Sequence, residues 1–78
     1  MEIYILGKIT PAKDKEILAE LKSIDGITDA KIVMGKYDFM VRADVESLEK
    51  FDTEVMNKIR ENPDVLSDET LIVQLTAE

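Results

Sequence analysis

A four-residue segment, Gly35-Lys36-Tyr37-Asp38, contains the groups that would recognise a zwitterion. A glycine lets the backbone approach a ligand closely, and successive loop N–H groups can bind a carboxylate. The adjacent Asp38 supplies an acceptor for an ammonium group. The same four residues also have the composition of an ordinary hairpin turn, so on their own they favour the turn over a binding site.

Two pairs of carboxylates have the spacing that acid/base catalysis or magnesium binding requires. Asp14 and Glu16 form one pair, and Asp68 and Glu69 form the other. Such pairs are common on solvated surfaces, and a chain with 17 acidic residues favours that interpretation. Because histidine, cysteine and tryptophan are all missing from the sequence, the commonest general base, the thiol nucleophiles and the usual zinc ligands are not available. We predict no enzymatic activity, no catalytic residue, no metal site and no cofactor.

Length and composition predict one small domain. The chain has 78 residues, 45% of them apolar, which is enough for one core and too little for two. We therefore expect a single domain over residues 1–78. No disulfide can supplement its core, so self-association is the expected source of further stability.

The net charge and the first residues of the chain limit the kinds of partner that the protein can bind. Since phosphate recognition depends on lysine and arginine, the net charge of −7 disfavours direct nucleic-acid binding. The apolar run near the start is too short for a membrane span, and it lacks the basic flank of a signal sequence. We expect a cytoplasmic protein that contacts neither nucleic acid nor a membrane.

The elements that must position the loop follow from apolar periodicity. Residues 3–9 predict a first strand, and Thr10-Pro11 predicts the cap and first turn of a helix. This helix should continue to Ile24, before a stop at Asp25-Gly26. Its apolar stripe comprises Ile17, Leu18, Leu21 and Ile24. Residues 27–34 and 39–43 then predict two antiparallel strands on either side of the loop.

The second half of the chain repeats this pattern. Asp44 or Ser47 is expected to cap a second helix, which ends at Asn62-Pro63. Its predicted buried stripe comprises Leu48, Phe51, Val55 and Ile59. Val65 and residues 71–75 predict the last strand. The order βαββαβ indicates an α+β, ferredoxin-like fold, with a four-stranded antiparallel sheet and both helices on one of its faces.

The other face of this sheet should also be apolar in part. Antiparallel sheets usually leave one face in water, yet the first strand has Ile3 and Ile5 on one side and Tyr4 and Leu6 on the other. Further apolar residues on the later strands are Met40, Leu71, Val73 and Leu75. We predict that two copies bury these side chains sheet against sheet, as a dimeric α/β barrel. The alternative is a smaller, partly wet patch, interrupted by Lys31, Arg42 and Gln74.

The order and spacing of several motifs resemble the ligand-binding domain of Lrp/AsnC transcription regulators over essentially the whole chain. The matching segments are Val33-Met34-Gly35-Lys36-Tyr37-Asp38-Phe39-Met40-Val41, Pro63-Asp64-Val65 and Glu69-Thr70-Leu71-Ile72-Val73. One departure lies in the turn, where Asp64 stands at a position that is often glycine in that family. The family's regulators carry an N-terminal helix-turn-helix, whereas this sequence starts at the effector domain's first strand, so we expect no DNA-binding domain.

The resemblance implies a homodimer that can form larger assemblies, such as an octamer, and that binds amino acids where dimers meet. It also implies a full-length Lrp/AsnC-type regulator as a possible partner. The ligand-binding candidates it transfers to this chain are Gly35, Lys36, Tyr37 and Asp38 in the loop, and Asp68, Glu69 and Thr70 ahead of the last strand. The expected function is small-molecule binding that modulates a regulator or another partner through ligand-dependent assembly.

Three alternatives have the same coarse pattern. A structural adaptor would assemble without any ligand. An ACT domain also binds amino acids, but it usually has a glycine in the turn after the first strand, where this chain has Thr10-Pro11-Ala12-Lys13. The small dimeric-barrel enzymes share the dimeric sheet, but they usually employ histidine, tryptophan or a bound cofactor.

Overall fold

Six elements follow one another in the order βαββαβ in the computed structural model, which describes residues 1–77. They are β1 (Glu2–Ile9), α1 (Asp14–Lys22), β2 (Ile27–Ile32), β3 (Phe39–Asp44), α2 (residues 48–61) and β4 (Val65–Ile72). The strands form one antiparallel sheet in the order β2-β3-β1-β4. The predicted ferredoxin-like α+β fold is confirmed, including the antiparallel β2–β3 pair on either side of the loop.

The core lies between the sheet and the two helices. Alternate side chains of β1 and β3, including Ile3, Ile5 and Val41, are 0–1% exposed and pack with the buried faces of α1 and α2. Phe39 is fully buried and lies directly opposite Gly7. A Cβ atom at position 7 would lie 2.6 Å from the Phe39 ring and 2.0 Å from the carbonyl oxygen of Ser67. Glycine is therefore needed at position 7 because two strands and an aromatic ring already fill that space.

The predicted start of α1 at Thr10-Pro11 is wrong. The helix begins at Asp14, and Lys13 precedes it without a side-chain cap. The Thr10 backbone N–H donates to the Asp64 carbonyl oxygen at 2.9 Å, so this residue is tied to the turn before β4. Ala12 then adopts a positive φ of 69°, which interrupts a right-handed helical path. The helix ends at Lys22 rather than Ile24, although the predicted positive φ at Gly26 is present.

Helix α2 is not a uniform α-helix. Ser47 caps it by accepting a hydrogen bond from the Lys50 N–H, whereas Asp44, the other predicted cap, belongs to β3. The helix comprises α-helical turns over Leu48–Lys50 and Asn57–Glu61, separated by a π-helical segment, Phe51–Met56. In a π-helical turn the N–H of residue i+5 donates to the carbonyl oxygen of residue i. Met56, five residues after Phe51, is buried together with it and joins the buried stripe. Leu48, predicted to be buried, is 47% exposed because the buried face of the helix begins only at Phe51.

Strand β4 is longer at its start and shorter at its end than the sequence predicts. It runs from Val65 to Ile72 and pairs with β1, while Leu75 lies beyond it and is 91% exposed. β4 is an edge strand, so its side chains do not need the apolar pattern of a buried strand. Asp68, Glu69 and Thr70, predicted to precede the last strand, therefore lie inside it.

Candidate functional site

The loop between β2 and β3 is held against the end of β1 by Asp38. Its backbone N–H donates to the Gly7 carbonyl oxygen at 2.8 Å, and its carbonyl oxygen accepts from the Val33 N–H at 2.8 Å. Its carboxylate Oδ2 accepts from the Ile9 N–H at 3.1 Å. In a longer β3, a backbone carbonyl oxygen would accept from the Ile9 N–H. The Asp38 carboxylate takes the place of that carbonyl and thereby fixes the position of the loop.

The rest of the loop leaves its hydrogen-bonding groups available. Within residues 1–77, the N–H groups of residues 34–37 donate to no protein acceptor, and Asp38 Oδ1 accepts from no protein donor. Gly35 has a φ of 145° and nothing within 4 Å of its potential Cβ, so the backbone there is open to an approaching molecule. The loop therefore combines anion-binding donors with a free carboxylate oxygen.

A shallow recess lies beside Asp38, at the end of the sheet where β1 and β2 stop. Its volume is about 190 Å³, smaller than the roughly 300–1,000 Å³ of pockets for drug-sized ligands. The lining residues are Ile9, Pro11, Asp14, Ile32, Val33 and Asp38. Aliphatic walls with carboxylates at this size suit a small amphipathic molecule that carries an amine.

Tyr37 connects the loop to β4. Its hydroxyl donates to Glu69 Oε2 at 2.5 Å, and the Lys36 ammonium lies 5.7 Å from the centre of its ring. Glu69 lies opposite Leu6 in the sheet register, so it is on the sheet face away from the helices. The hydrogen bond to Glu69, together with desolvation and the negative charge of Glu69, raises the pKa of Tyr37 above its ordinary value.

We expect the two tyrosines to ionise at higher pH than free tyrosine, whose pKa is about 10. The Tyr4 pKa is also raised, mainly by its hydrogen bond to Glu2. Because each folded-state pKa is raised, the associated stability is present below the unfolded pKa and is lost as pH rises through the folded value. In a phenolate absorbance titration, Glu69→Ala should lower the Tyr37 midpoint toward that of free tyrosine. Two unshifted midpoints in the parent would contradict the Tyr37–Glu69 hydrogen bond.

The remaining candidates on β4 face the helices. Asp68 lies opposite Gly7 and forms a 3.4 Å ion pair with Arg60 of α2. Thr70 lies 3.9 Å from the sulfur of Met56, also in α2. The structure thus brings Tyr37 together with Glu69 and places Asp38 nearby, but Asp68 and Thr70 are on the opposite face of the sheet. Ligand binding by all seven candidates stays a prediction.

The sheet face away from the helices, here called the open face, has an apolar centre. One row of side chains across the sheet consists of Asp29, Arg42, Tyr4 and Leu71. The next row consists of Lys31, Met40, Leu6 and Glu69. Tyr4, Leu6 and Met40 are half-buried, and Leu71 is 56% exposed. These four residues form the apolar patch, and charged side chains border it on β2, β3 and β4.

Sequence reasoning missed a polar network at one end of this patch. Glu2 Oε2 accepts from the Tyr4 hydroxyl at 2.9 Å and lies 2.7 Å from Arg42 Nε. The Arg42 guanidinium also lies 3.1 Å from Asp44 Oδ2. The only available signal was that these residues recur at every second position of two strands, which places them on one face. The network orients Tyr4 and Arg42 next to the apolar patch.

Two further properties concern the part of the chain that the structure describes. Neither of its helices is both long and apolar enough to cross a membrane. No three side chains of the metal-ligating types converge among residues 1–77.

Comparisons with known proteins point to one family. A family model described as the Lrp/AsnC ligand binding domain matches residues 3–77. The crystal structure of the hypothetical protein PHS023 from Pyrococcus horikoshii is 27% identical, with a TM-score of 0.87, and the match covers 96% of this chain and 90% of that one. None of the curated proteins that were compared matches the chain.

Two other similar structures are transcription regulators. E. coli AsnC is 28% identical with a TM-score of 0.85, and the match covers 96% of this chain and 51% of AsnC. The regulator NMB0573 from Neisseria meningitidis, solved as a complex with L-Met, is 16% identical with a TM-score of 0.73. That match covers 99% of this chain and 51% of the regulator. This chain therefore spans about half the length of each regulator.

Proposed function

The chain belongs to the Lrp/AsnC ligand-binding domain family, and on that premise we propose that it binds a free amino acid and assembles with further copies of itself. Ligand occupancy alters this assembly and thereby modulates a transcription regulator or another partner. The partner class includes a full-length Lrp/AsnC-type regulator. The chain itself contacts no nucleic acid and catalyses no reaction in this proposal.

The observation that carries the proposal is the free hydrogen-bonding capacity of the loop. Four consecutive N–H groups without a protein acceptor lie next to a carboxylate that has one unused oxygen. The N–H groups suit the carboxylate of an amino acid, and Asp38 Oδ1 suits its ammonium group. NMB0573, which has this fold, was solved with an amino acid, L-Met, and this supports the same ligand class here.

The open face supports self-association. Charged side chains border its apolar patch. On β2 and β3, Lys31 pairs with Asp29, and Arg42 pairs with Glu2 and Asp44; on β4, Glu69 lies at the edge. In a two-fold dimer, each patch would meet its own copy, and the exposed parts of the four apolar side chains would be buried. We propose that this sheet-to-sheet contact is the dimer interface, and that the amino acid acts where dimers assemble further, as in an octamer.

A structural adaptor without a ligand is the second candidate, and one contact favours it. Asp38 already uses Oδ2 to fix the loop to Ile9, so its carboxylate has a structural role that needs no ligand. The adaptor and the amino-acid sensor would have the same fold and the same dimer, but only the sensor should bind amino acids. The family match decides against the ACT alternative.

A calorimetric titration with the common amino acids tests the proposal, and Asp38 can be altered in two ways. Asp38→Asn keeps an oxygen that can accept from the Ile9 N–H but removes the negative charge. A charge-assisted hydrogen bond contributes roughly 1.5–3 kcal/mol, so this variant should bind the amino acid about one to two powers of ten more weakly. Its stability should remain close to that of the parent.

Asp38→Ala tests the structural role of the Asp38 side chain in addition to its role in binding. It should lose the same binding and also lower the free energy of unfolding by about 1–3 kcal/mol, because the Ile9 N–H is left without an acceptor. Unchanged affinity in Asp38→Asn would mean that Asp38 is only a loop residue. A parent that gives no saturable heat with any amino acid would favour the adaptor.

A further inference from the structure

A groove runs between α1 and α2 on the side of the molecule opposite the open face. It consists of two adjoining depressions, of about 420 and 580 Å³, which share Ser23, Ile24 and Lys58. One wall comes from the end of α1, and the other comes from α2, including Thr53 and Glu54 of its π-helical segment. We call this feature the helix groove.

The floor of the helix groove is apolar. Leu21 and Ile59 are buried beneath it, and Ile24 is half-buried at the point where the two depressions meet. Two lining residues, Thr53 and Glu54, belong to the π-helical segment, and π-helical turns are frequent at functional sites. Because Leu21 and Ile59 are only 1% and 0% exposed, Ile24 is the floor residue that an apolar side chain of an element lying along the two helices would contact.

The rim of the helix groove is strongly acidic. Its charged residues are Glu20, Asp25, Glu54, Glu61, Asp64 and Lys58. Glu20 accepts a hydrogen bond from the Asn62 side chain, while the other four carboxylates form no ion pair within residues 1–77. Five carboxylates against one ammonium group concentrate negative charge around an apolar floor.

We propose that the helix groove docks an amphipathic helix of a partner protein that carries lysine or arginine beside its apolar stripe. Such a helix would place its apolar side chains on the floor and its cations against the rim, which is the usual helix-in-groove mode of recognition. A two-fold contact with a second copy would place that copy's own five rim carboxylates against this rim, and like-charge repulsion opposes it. Nucleic acid is disfavoured by the same repulsion.

This docking surface is independent of the amino-acid site. The helix groove lies on the helix side, whereas the proposed dimer uses the open face, so a dimer leaves both of its grooves accessible. A partner bound there would not compete for the dimer contact. Changes in the groove should therefore leave dimer mass and amino-acid affinity unaltered.

Fluorescence anisotropy with three synthetic probe peptides of about 15 residues tests the proposal. The first probe has leucines at helical spacing flanked by lysines, the second replaces the lysines with glutamates, and the third scrambles the first. Glu54→Lys/Glu61→Lys reverses two charges on the rim. Its matched control, Glu16→Lys/Glu49→Lys, reverses two exposed charges outside the groove and gives the same net charge.

The lysine probe should bind the parent saturably, and the glutamate and scrambled probes should not. Reversal of the two rim charges should weaken binding by about tenfold or more, because charge pairs at a docking surface are lost. The control should weaken it by less than about threefold, since screening limits the effect of distant charges. Equal weakening by both double variants, preserved binding by the rim variant, or an absence of saturable binding to the parent would each overturn the proposal.

Discussion

Replacing Leu6 with lysine should convert the protein from a dimer to a monomer. Leu6 lies at the centre of the apolar patch, between Met40 on β3 and Glu69 on β4. Burial of a leucine contributes roughly 1.5–3 kcal/mol, and a two-fold interface contains the change twice. The dissociation constant of the dimer should therefore rise by about two to four powers of ten. Light scattering across a dilution series would measure this change.

Leu48→Lys is the matched control. Leu48 is also a partly exposed leucine, at 47%, but it lies in the first turn of α2, away from the open face. This variant should remain a dimer with the affinity of the parent. If Leu6→Lys stays dimeric while Leu48→Lys dissociates, the interface lies on the helix side and the proposed sheet-to-sheet contact is wrong.

Gly7→Ala should cause a large loss of stability. The added methyl group would lie 2.0 Å from the Ser67 carbonyl oxygen and 2.6 Å from the Phe39 ring. Neither neighbour can move away easily, because one is the backbone of a paired strand and the other is fully buried. We expect the free energy of unfolding to fall by about 3 kcal/mol or more, against the roughly 5–15 kcal/mol of a typical domain.

Comparing Gly7→Ala with Gly35→Ala distinguishes the stability lost to steric crowding from the stability lost to backbone strain. Gly35 has a positive φ of 145° but nothing within 4 Å of its potential Cβ, so alanine there should cost about 1–3 kcal/mol, from backbone strain alone. Urea unfolding of both variants at one protein concentration compares them directly, since the stability of a dimer depends on concentration. A Gly7→Ala protein as stable as the parent would contradict the close approach of β1, β4 and Phe39.

The fold was predictable because local patterns and the global architecture agree. The alternation of Ile3 and Ile5 with Tyr4 and Leu6 assigned β1 and its two faces, and the spacing of Ile17 and Leu21 assigned the buried stripe of α1. Helix and strand periodicity both follow from the directions of successive side chains. These patterns are strongest in elements with one buried face.

The errors arose where contacts between distant segments override local preference. The cap expected at Thr10 fails because its hydroxyl and its N–H both donate to the carbonyl oxygen of Asp64, far away in sequence, and the positive φ of Ala12 interrupts the helical path. The π-helical turn in α2 brings both Phe51 and Met56 to its buried face, and Met56 carries no local signal for this. The range of β4 was predicted wrongly because an edge strand does not need alternating apolar residues and can therefore contain Asp68 and Glu69.

The candidate site was predictable only in its loop. The sequence of residues 35–38 indicated donors and an acceptor within reach of one ligand, and the structure has both groups free. Two features became apparent only in the structure. Asp38 Oδ2 already accepts a hydrogen bond from the Ile9 N–H, and Glu69 lies on the sheet face opposite to that of Asp68 and Thr70. Alternation along a strand forces neighbouring residues onto opposite faces, which a sequence motif does not convey.

The central claim, that an amino acid controls assembly, is tested most directly by sedimentation velocity during an amino-acid titration at constant protein concentration. A ligand shifts an equilibrium only by its different affinity for the two states, so the change in assembly must follow occupancy. The average sedimentation coefficient should change between that of a dimer and that of a larger assembly. Its midpoint should coincide with the calorimetric midpoint. A sedimentation coefficient that stays constant from zero to saturating amino acid would contradict the account.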